Sequence, residues 1–335
     1  MNNLNSLFSF FNTRDIMFYS TARHAFKEAL DLLKLNNSDV ILIPDFICRD
    51  LLSSISEAGL NFQFYSVNEY LKPISLPENS NIKVVLAVNY FGFPQSLDIF
   101  RDYCKKNKCI LIEDNAHGFL SSDDNGEELG KRAPLGFTSF RKIIPVYNGA
   151  ALFINSDNFI SSDLLSLNPT TEILPFRFVI KDIARKIQTS TNFPLKNYFE
   201  DFSRFLRKIV TGSEIPSPRI NAEIEIGFKK EIHQTSVNKL ITVIATEEVK
   251  RRRKLFQKFY ADLENLEIIP IYKQLPDNVS PYGYPFIAKK EVARDVSRIA
   301  RKSGFTCVKW PDLPLIIENN CPNYYKKIYF VDFLE

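Results

Sequence analysis

Between residues 40 and 154, short apolar runs alternate with amphipathic stretches. Val40–Ile43, Phe62–Val67, Lys83–Val88, Cys109–Glu113 and Ala150–Ile154 are each short, apolar and bounded by turn-forming or polar residues, the pattern of a buried strand. The segments between them carry apolar residues at helical spacing. Ala22, Phe26, Ala29, Leu30 and Leu33 fall on one face of a helix opened by Ser20 or Thr21, a second helix covers Ile47–Ala58 and stops at Gly59, and a third covers Ser96–Asn107. Strand–helix alternation of this kind predicts an α/β layer around a mostly parallel sheet. Ligands of such sheets bind beyond the carboxyl ends of the strands. Asp114, Asn115 and His117 stand at one such end, and Asn89 and Tyr90 at another.

Past Asn155 the pattern changes. Helical stretches at Phe178–Ile187 and Asn197–Val210 are interrupted by prolines, and the longest helical stretch runs over Thr235–Leu266. Tyr284–Ala288 and Phe305–Val308 read as strands around a helix, Val292–Ser303, ended by Gly304. This predicts a large domain over 1–215 and a smaller α+β domain over 216–335. The run Lys250-Arg251-Arg252-Arg253-Lys254 invites a nucleic-acid reading. Acidic neighbours Glu247, Glu248 and Asp262, the lack of interleaved aromatics and a net charge of only +4 favour a solvated helix face instead. Five scattered cysteines without a CxxC pair, together with three histidines, argue against a disulfide framework or a zinc site and point to a reducing, cytoplasmic compartment. The amino terminus lacks the basic lead of a signal peptide, and no apolar run approaches the ~20 residues that span a bilayer.

The chemistry narrows by elimination. There is no GxGxxG after a strand, no GxxxxGK[ST] and no GxSxG. What remains is a strand-end acid, Asp114, with His117 close by; a hydroxyl pair, Thr138 and Ser139; Lys142; and the helix start at Ser20-Thr21-Ala22. Such a set suits pyridoxal 5′-phosphate (PLP). That cofactor takes a lysine amine at its aldehyde and a carboxylate facing its ring nitrogen, whose proton makes the ring an electron sink. Its phosphate is held by helix amides and hydroxyls. The lysine must shed its proton, which burial and a neighbouring cation favour; Arg141 is either that cation or a solvent-facing charge.

Three runs carry a family resemblance. VNYFGFPQSLDIFRDYCKKNKCILIEDNAHGF (88–119), SFRKIIPVYNGAALFIN (139–155) and YSTARHAF (19–26) resemble motifs of the DegT/DnrJ/EryC1/StrS family of PLP-dependent sugar aminotransferases. The resemblance implies the fold-type I transferase architecture: a mostly parallel central sheet flanked by helices, plus a smaller C-terminal α+β domain. It implies Lys142 as the internal aldimine and general acid/base, Asp114 at the pyridine nitrogen, His117 against the cofactor, and Thr21, Ala22 and Ser139 at the phosphate, with Thr138 the alternative hydroxyl. Cys48 stands where relatives place an aromatic residue over the ring, a role that Phe46 or another aromatic would then take. Gly149-Ala150 stands where Gly-Gly is usual.

The implied activity is amino transfer from an amino acid, glutamate, to a nucleotide-linked keto-sugar in surface-polysaccharide or amino-sugar biosynthesis. The implied assembly is a homodimer with shared sites, and neither nucleic acid nor membrane is an expected partner. Alternatives are a PLP-dependent dehydratase, against which Lys142 argues because dehydrating relatives tend to carry histidine there, and a degenerate sugar-nucleotide-binding protein.

Overall fold

A computed structural model describes residues 15–159, 168–191, 221–227 and 229–334. In chain order its first half runs β1 Ile16–Tyr19, α1 Ala22–Leu32, β2 Val40–Pro44, α2 Leu52–Glu57, β3 Asn61–Tyr65, β4 Ile82–Val88, α3 Asp98–Asn107, β5 Ile110–Asn115, β6 Leu135–Ser139 and β7 Ala150–Ile154. The seven strands form one sheet in the order β1–β7–β6–β5–β4–β2–β3. β3, β2, β4, β5 and β6 run parallel to one another, while β7 runs antiparallel to β6 and to β1. The sheet is therefore mostly parallel, as expected. Its central strands are apolar because both faces are covered: Val84–Ala87 and Ile112 are fully buried. α1 lies across β6 and β7, with Phe26 against Phe137 at 5.2 Å between ring centres.

The second half contains α4 Phe176–Thr191, α5 Gln234–Thr242, α6 Ala245–Asp262, β8 Ile269–Pro270, β9 Gly283–Ile287, α7 Lys290–Lys302, β10 Thr306–Lys309, α8 Leu315–Glu318 and β11 Ile328–Asp332. A four-stranded antiparallel sheet, β10–β11–β9–β8, sits apart from the first sheet. Its apolar face, which includes Phe286, Phe330 and Val331, belongs to the same continuous core as the large sheet. The expected boundary near residue 215 and the helix at 197–210 lie outside the described residues.

Three local expectations are corrected. The helix drawn over Ile47–Ala58 starts late: Cys48 is extended (φ −68, ψ 126), the Arg49 amide donates to the Asp312 carbonyl, and one tight turn at Arg49–Leu51 precedes α2. The single helix over Thr235–Leu266 is two. Val243 is extended (ψ 129) at the end of the β-branched run Ile241-Thr242-Val243-Ile244, a composition that weakens a helix. The basic run is not a uniformly solvated face. Lys250 and Lys254 are exposed, but Arg252 is fully buried and spends its donors on Glu248 and on three backbone carbonyls, those of Ile143, Pro281 and Tyr282. β1, β6, β8 and β11 were not anticipated.

Candidate active site

Lys142 is placed by a strand and one turn. β6 delivers Ser139, and a single tight turn, Phe140–Lys142, follows at the sheet's edge. The turn is tied down by Gly149: its carbonyl accepts from the Phe140 amide (3.0 Å), and its own amide donates to the Ser20 carbonyl (2.7 Å). Gly149 has φ +139, and a Cβ there would press on Phe140 and Ile232 at 3.2–3.3 Å, so glycine is required at this crossing. One residue thus joins the lysine turn to the residue ahead of α1.

His117 lies at the carboxyl end of β5, in the turn that follows Asn115. Its Nδ1 accepts a hydrogen bond from the Phe91 amide (3.2 Å), and its Nε2 is 2.9 Å from the Lys142 Nζ. A ring nitrogen that accepts from an amide carries no proton, so in the neutral ring the proton sits on Nε2. That N–H points at Nζ, and only an unprotonated amine has a lone pair to receive it. The geometry therefore assigns a neutral imidazole with its proton on Nε2, beside an amine whose proton is loosely held. Electrostatics agree. Burial pushes the His117 pKa well below its ordinary value, with the Lys142 charge adding to the effect. Burial also lowers the Lys142 pKa; the exposed Arg141 reinforces this, while Cys48, Asp114 and Asp50 oppose it. Arg141 thus both points to solvent and acts as the expected cation.

Asp114 is 4% exposed and its Oδ1 accepts from the Ala116 amide at 2.9 Å. Burial raises its pKa to about 6, against the pull of that amide and of Lys142. Register places its partners: Asp114 pairs with Phe137, Asn115 with Thr138 and Ser139 with Ala150. Paired residues share a face and neighbours alternate, so Asp114 and Ser139 look toward the α1 side of the sheet, and Thr138 looks away. The Thr138 hydroxyl donates to the Asn115 carbonyl (3.0 Å). Of the two candidate hydroxyls, only Ser139 shares the face of Asp114.

α1 begins at Ala22, whose amide has no carbonyl one turn back within the helix. The flanking hydroxyls do not cap it; Ser20 and Thr21 both lie within hydrogen-bond distance of His24 Nδ1 (3.2 and 3.0 Å). Cys48 is half-buried, and burial raises its thiol pKa despite the Lys142 charge. Phe46 is fully buried against Tyr90, Trp310 and Tyr325, and so is committed to packing. The aromatic wall comes instead from the second half of the chain. Tyr282 stacks on His117 (4.5 Å, 20°), Trp310 meets it edge-on (5.0 Å), and the Lys142 Nζ lies 5.9 Å from the Tyr282 ring centre. Neither residue was anticipated. Their only signal in the sequence is an aromatic beside prolines, in PYGYP and KWPD.

The donor set fits PLP. A lysine of lowered pKa, a desolvated carboxyl with one backbone partner among the described residues, and an amide-bearing helix start are supplied by β6, β5 and α1. Among the described residues Asp114 makes no ion pair, and a protonated ring nitrogen would supply a cation in direct contact.

Residues 5–164 match the model of the DegT/DnrJ/EryC1/StrS aminotransferase family, a span that includes every motif on which the resemblance rested. No curated protein matches the sequence. Among solved structures, the chain is similar to the aminotransferase TlmJ from Streptoalloteichus hindustanus (15% identity, 95% of this chain and 80% of that one, TM-score 0.60). It is similar to Helicobacter pylori PseC, an aminotransferase of pseudoaminic acid biosynthesis (12%, 95% and 81%, TM-score 0.60). It is also similar to NtdA from Bacillus subtilis with the cofactor PMP bound (14%, 97% and 71%, TM-score 0.61). The fold is that of these transferases. Among the described residues, no helix is long and apolar enough to cross a membrane.

Proposed function

We infer that this chain, whose residues 5–164 match the DegT/DnrJ/EryC1/StrS aminotransferase family, is a PLP-dependent sugar aminotransferase. PLP, when bound, supplies the carbonyl that captures an amine and the ring that stores the electron pair released with a proton. The remaining work falls to this chain. Lys142 offers an amine that gives up its proton more readily than an ordinary lysine, because burial and Arg141 lower its pKa, and His117 lies within hydrogen-bond distance of it. With the cofactor in place, the same amine would act as the general acid/base for the proton at the reacting carbon, held by the Phe140–Lys142 turn.

Asp114 holds a proton at the ring nitrogen: a carboxyl raised to about 6 by burial falls back toward the ordinary carboxylate range when a cation is placed beside it. The Thr21–Ala22 backbone and the Ser139 hydroxyl receive the phosphate, where the α1 dipole favours negative charge. His117, wedged between Tyr282 and Phe91, would orient the lysine amine toward a bound ring. Cys48 would give a bound ring no aromatic cover, and burial raises its thiol pKa.

The amino donor is glutamate and the acceptor a nucleotide-linked keto-sugar in amino-sugar or surface-polysaccharide biosynthesis. The protein works as a homodimer with shared sites in the cytoplasm. The observation that carries the assignment is the His117–Lys142 contact at 2.9 Å, one turn past the strand that carries Ser139.

The test is turnover. Protein loaded with PLP and given ¹⁵N-glutamate and a panel of nucleotide-linked keto-sugars should yield 2-oxoglutarate and a ¹⁵N-amino-sugar nucleotide, seen by mass. A deoxygenated product without nitrogen would replace transamination by dehydration. A protein that gains no visible absorption band with PLP would overturn the reading.

A further inference from the structure

Two of the five cysteines, unremarkable in the sequence, meet in the fold. Cys104 lies in the last turn of α3, which ends where Lys108 takes a left-handed conformation (φ 53). The Lys108 and Cys109 amides both donate to the Cys104 carbonyl, the second at 3.2 Å, in a turn that folds Cys109 back over the helix end. The two sulfurs come to 3.1 Å. Both thiols are half-buried, and both line a surface cleft of about 410 Å³ beside Arg101, Arg132, Ser156 and Asn158. This cleft lies at the amino end of β5, the opposite end from Asp114 and His117, and nothing in the proposed aminotransferase uses it.

We propose that Cys104 and Cys109 form a thiol–disulfide exchange site for low-molecular-weight disulfides of the glutathione type. The Cys109 thiolate attacks one sulfur of the small disulfide; a bond forms between Cys109 and that sulfur, and the other half leaves as a thiolate. Cys104 then gives its proton to solvent and attacks the Cys109 sulfur, forming the intramolecular disulfide and expelling the second small thiolate. The two leaving thiolates take up protons. The protein dithiol is oxidised by two electrons and the small disulfide is reduced by the same two.

The sulfurs need close only from 3.1 Å to the ~2.05 Å of a disulfide, within the reach of side-chain rotation. The order of attack follows from the pair's asymmetry. Contact with Cys104 lowers the Cys109 thiol, with the Lys83 charge helping and burial opposing, while the same contact together with burial raises Cys104. The half-exposed Arg101 guanidinium at the cleft suits the carboxylates of a peptide thiol. Once formed, the disulfide ties the end of α3 to the start of β5.

The experiment treats the reduced full chain with oxidised glutathione, quenches with an alkylating agent and maps the thiols. Titratable thiols should fall from five to three, the chain should lose the mass of two hydrogen atoms, and the one new cross-link should join Cys104 to Cys109, reversibly with dithiothreitol. Cys104→Ser should stop at a glutathione adduct on Cys109, and Cys109→Ser should slow thiol loss by ~10-fold or more. Without any variant, the unsubstituted chain should bind one trivalent arsenical, a probe that one thiol does not retain. The proposal is overturned if Cys48, Cys307 or Cys321 reacts first, if the glutathione adduct persists on the unsubstituted chain, or if neither thiol reacts and no arsenical is held. None of these readouts depends on PLP, so failure here is distinct from failure of the aminotransferase assignment.

Discussion

Glu113 and Asp114 are consecutive residues of one buried strand, and the pleat sends their side chains to opposite faces of the sheet. Glu113 is fully buried and saturated. Its two oxygens accept from the Asn89 amide group, the Arg132 guanidinium and the Arg132 backbone amide, at 2.6–3.0 Å. Arg132 in turn reaches Asn89 and Asp123, closing a buried polar network beneath the site. Asp114 is almost as buried, yet accepts from one backbone amide and stands near Lys142 without an ion pair. One carboxylate is a scaffold bolt, its burial offset by a guanidinium. The other bears a desolvation cost that the protein's own residues leave unmet, which is how a group reserved for a ligand's charge differs from a structural one.

The sharpest way to break this contrast is to neutralise each acid in turn. Asp114→Asn should cut turnover by ~10²–10³ and weaken PLP binding, while leaving thermal stability of the cofactor-free protein unchanged or higher. Glu113→Gln strands the buried Arg132 charge and should destabilise the fold by ~3–5 kcal/mol, seen in denaturant melts, with loss of activity following loss of folded protein. Equal effects on turnover at full folding would dissolve the distinction.

A smaller effect appears with pH. The Asp114 carboxyl binds its proton more tightly when folded (about 6) than its ordinary 3.8, so the folded state holds more protons than the unfolded one between those values. Stability of the cofactor-free protein should therefore fall as pH rises from 4 to 6, by up to ~3 kcal/mol from this group. Asp114→Asn or added PLP should flatten that slope in melts across the range. If the slope survives in Asp114→Asn, the carboxyl is not the group responsible.

The smallest contrast is between the hydroxyl neighbours of β6. Ser139→Ala should raise the Kd for PLP by ~10-fold with little change in stability. Thr138→Val, which removes the bond to the Asn115 carbonyl, should cost ~1–2 kcal/mol of stability and leave the Kd alone. Titration of PLP against each variant decides between them.

What the sequence made legible was local. The strands β2, β4, β5 and β7 are built on short apolar runs, Asp114 stands at the carboxyl end of β5, and His117 and Lys142 lie just past strand ends, so pattern and chemistry coincide there. What it hid depends on distant partners. β6 is only five residues long, with Gly136, Thr138 and Ser139 among them, and it is a strand because β5 and β7 flank it. Arg252 looks like any exposed residue of a basic run until Ile143, Pro281 and Tyr282 turn their carbonyls toward it. Tyr282 and Trp310 join His117 from more than 160 residues away, a distance at which periodicity carries no information. The choice between Thr138 and Ser139 needed the strand register, since one residue of slip exchanges the faces.

The central claim is that Lys142 is the amine that holds PLP, and reduction followed by mapping tests it most directly. The protein incubated with PLP should gain a visible absorption band that borohydride bleaches, and digestion should then find the pyridoxyl group on Lys142 alone, absent in Lys142→Ala. A pyridoxyl group on another lysine, or label scattered over surface lysines without a visible band, would contradict the account.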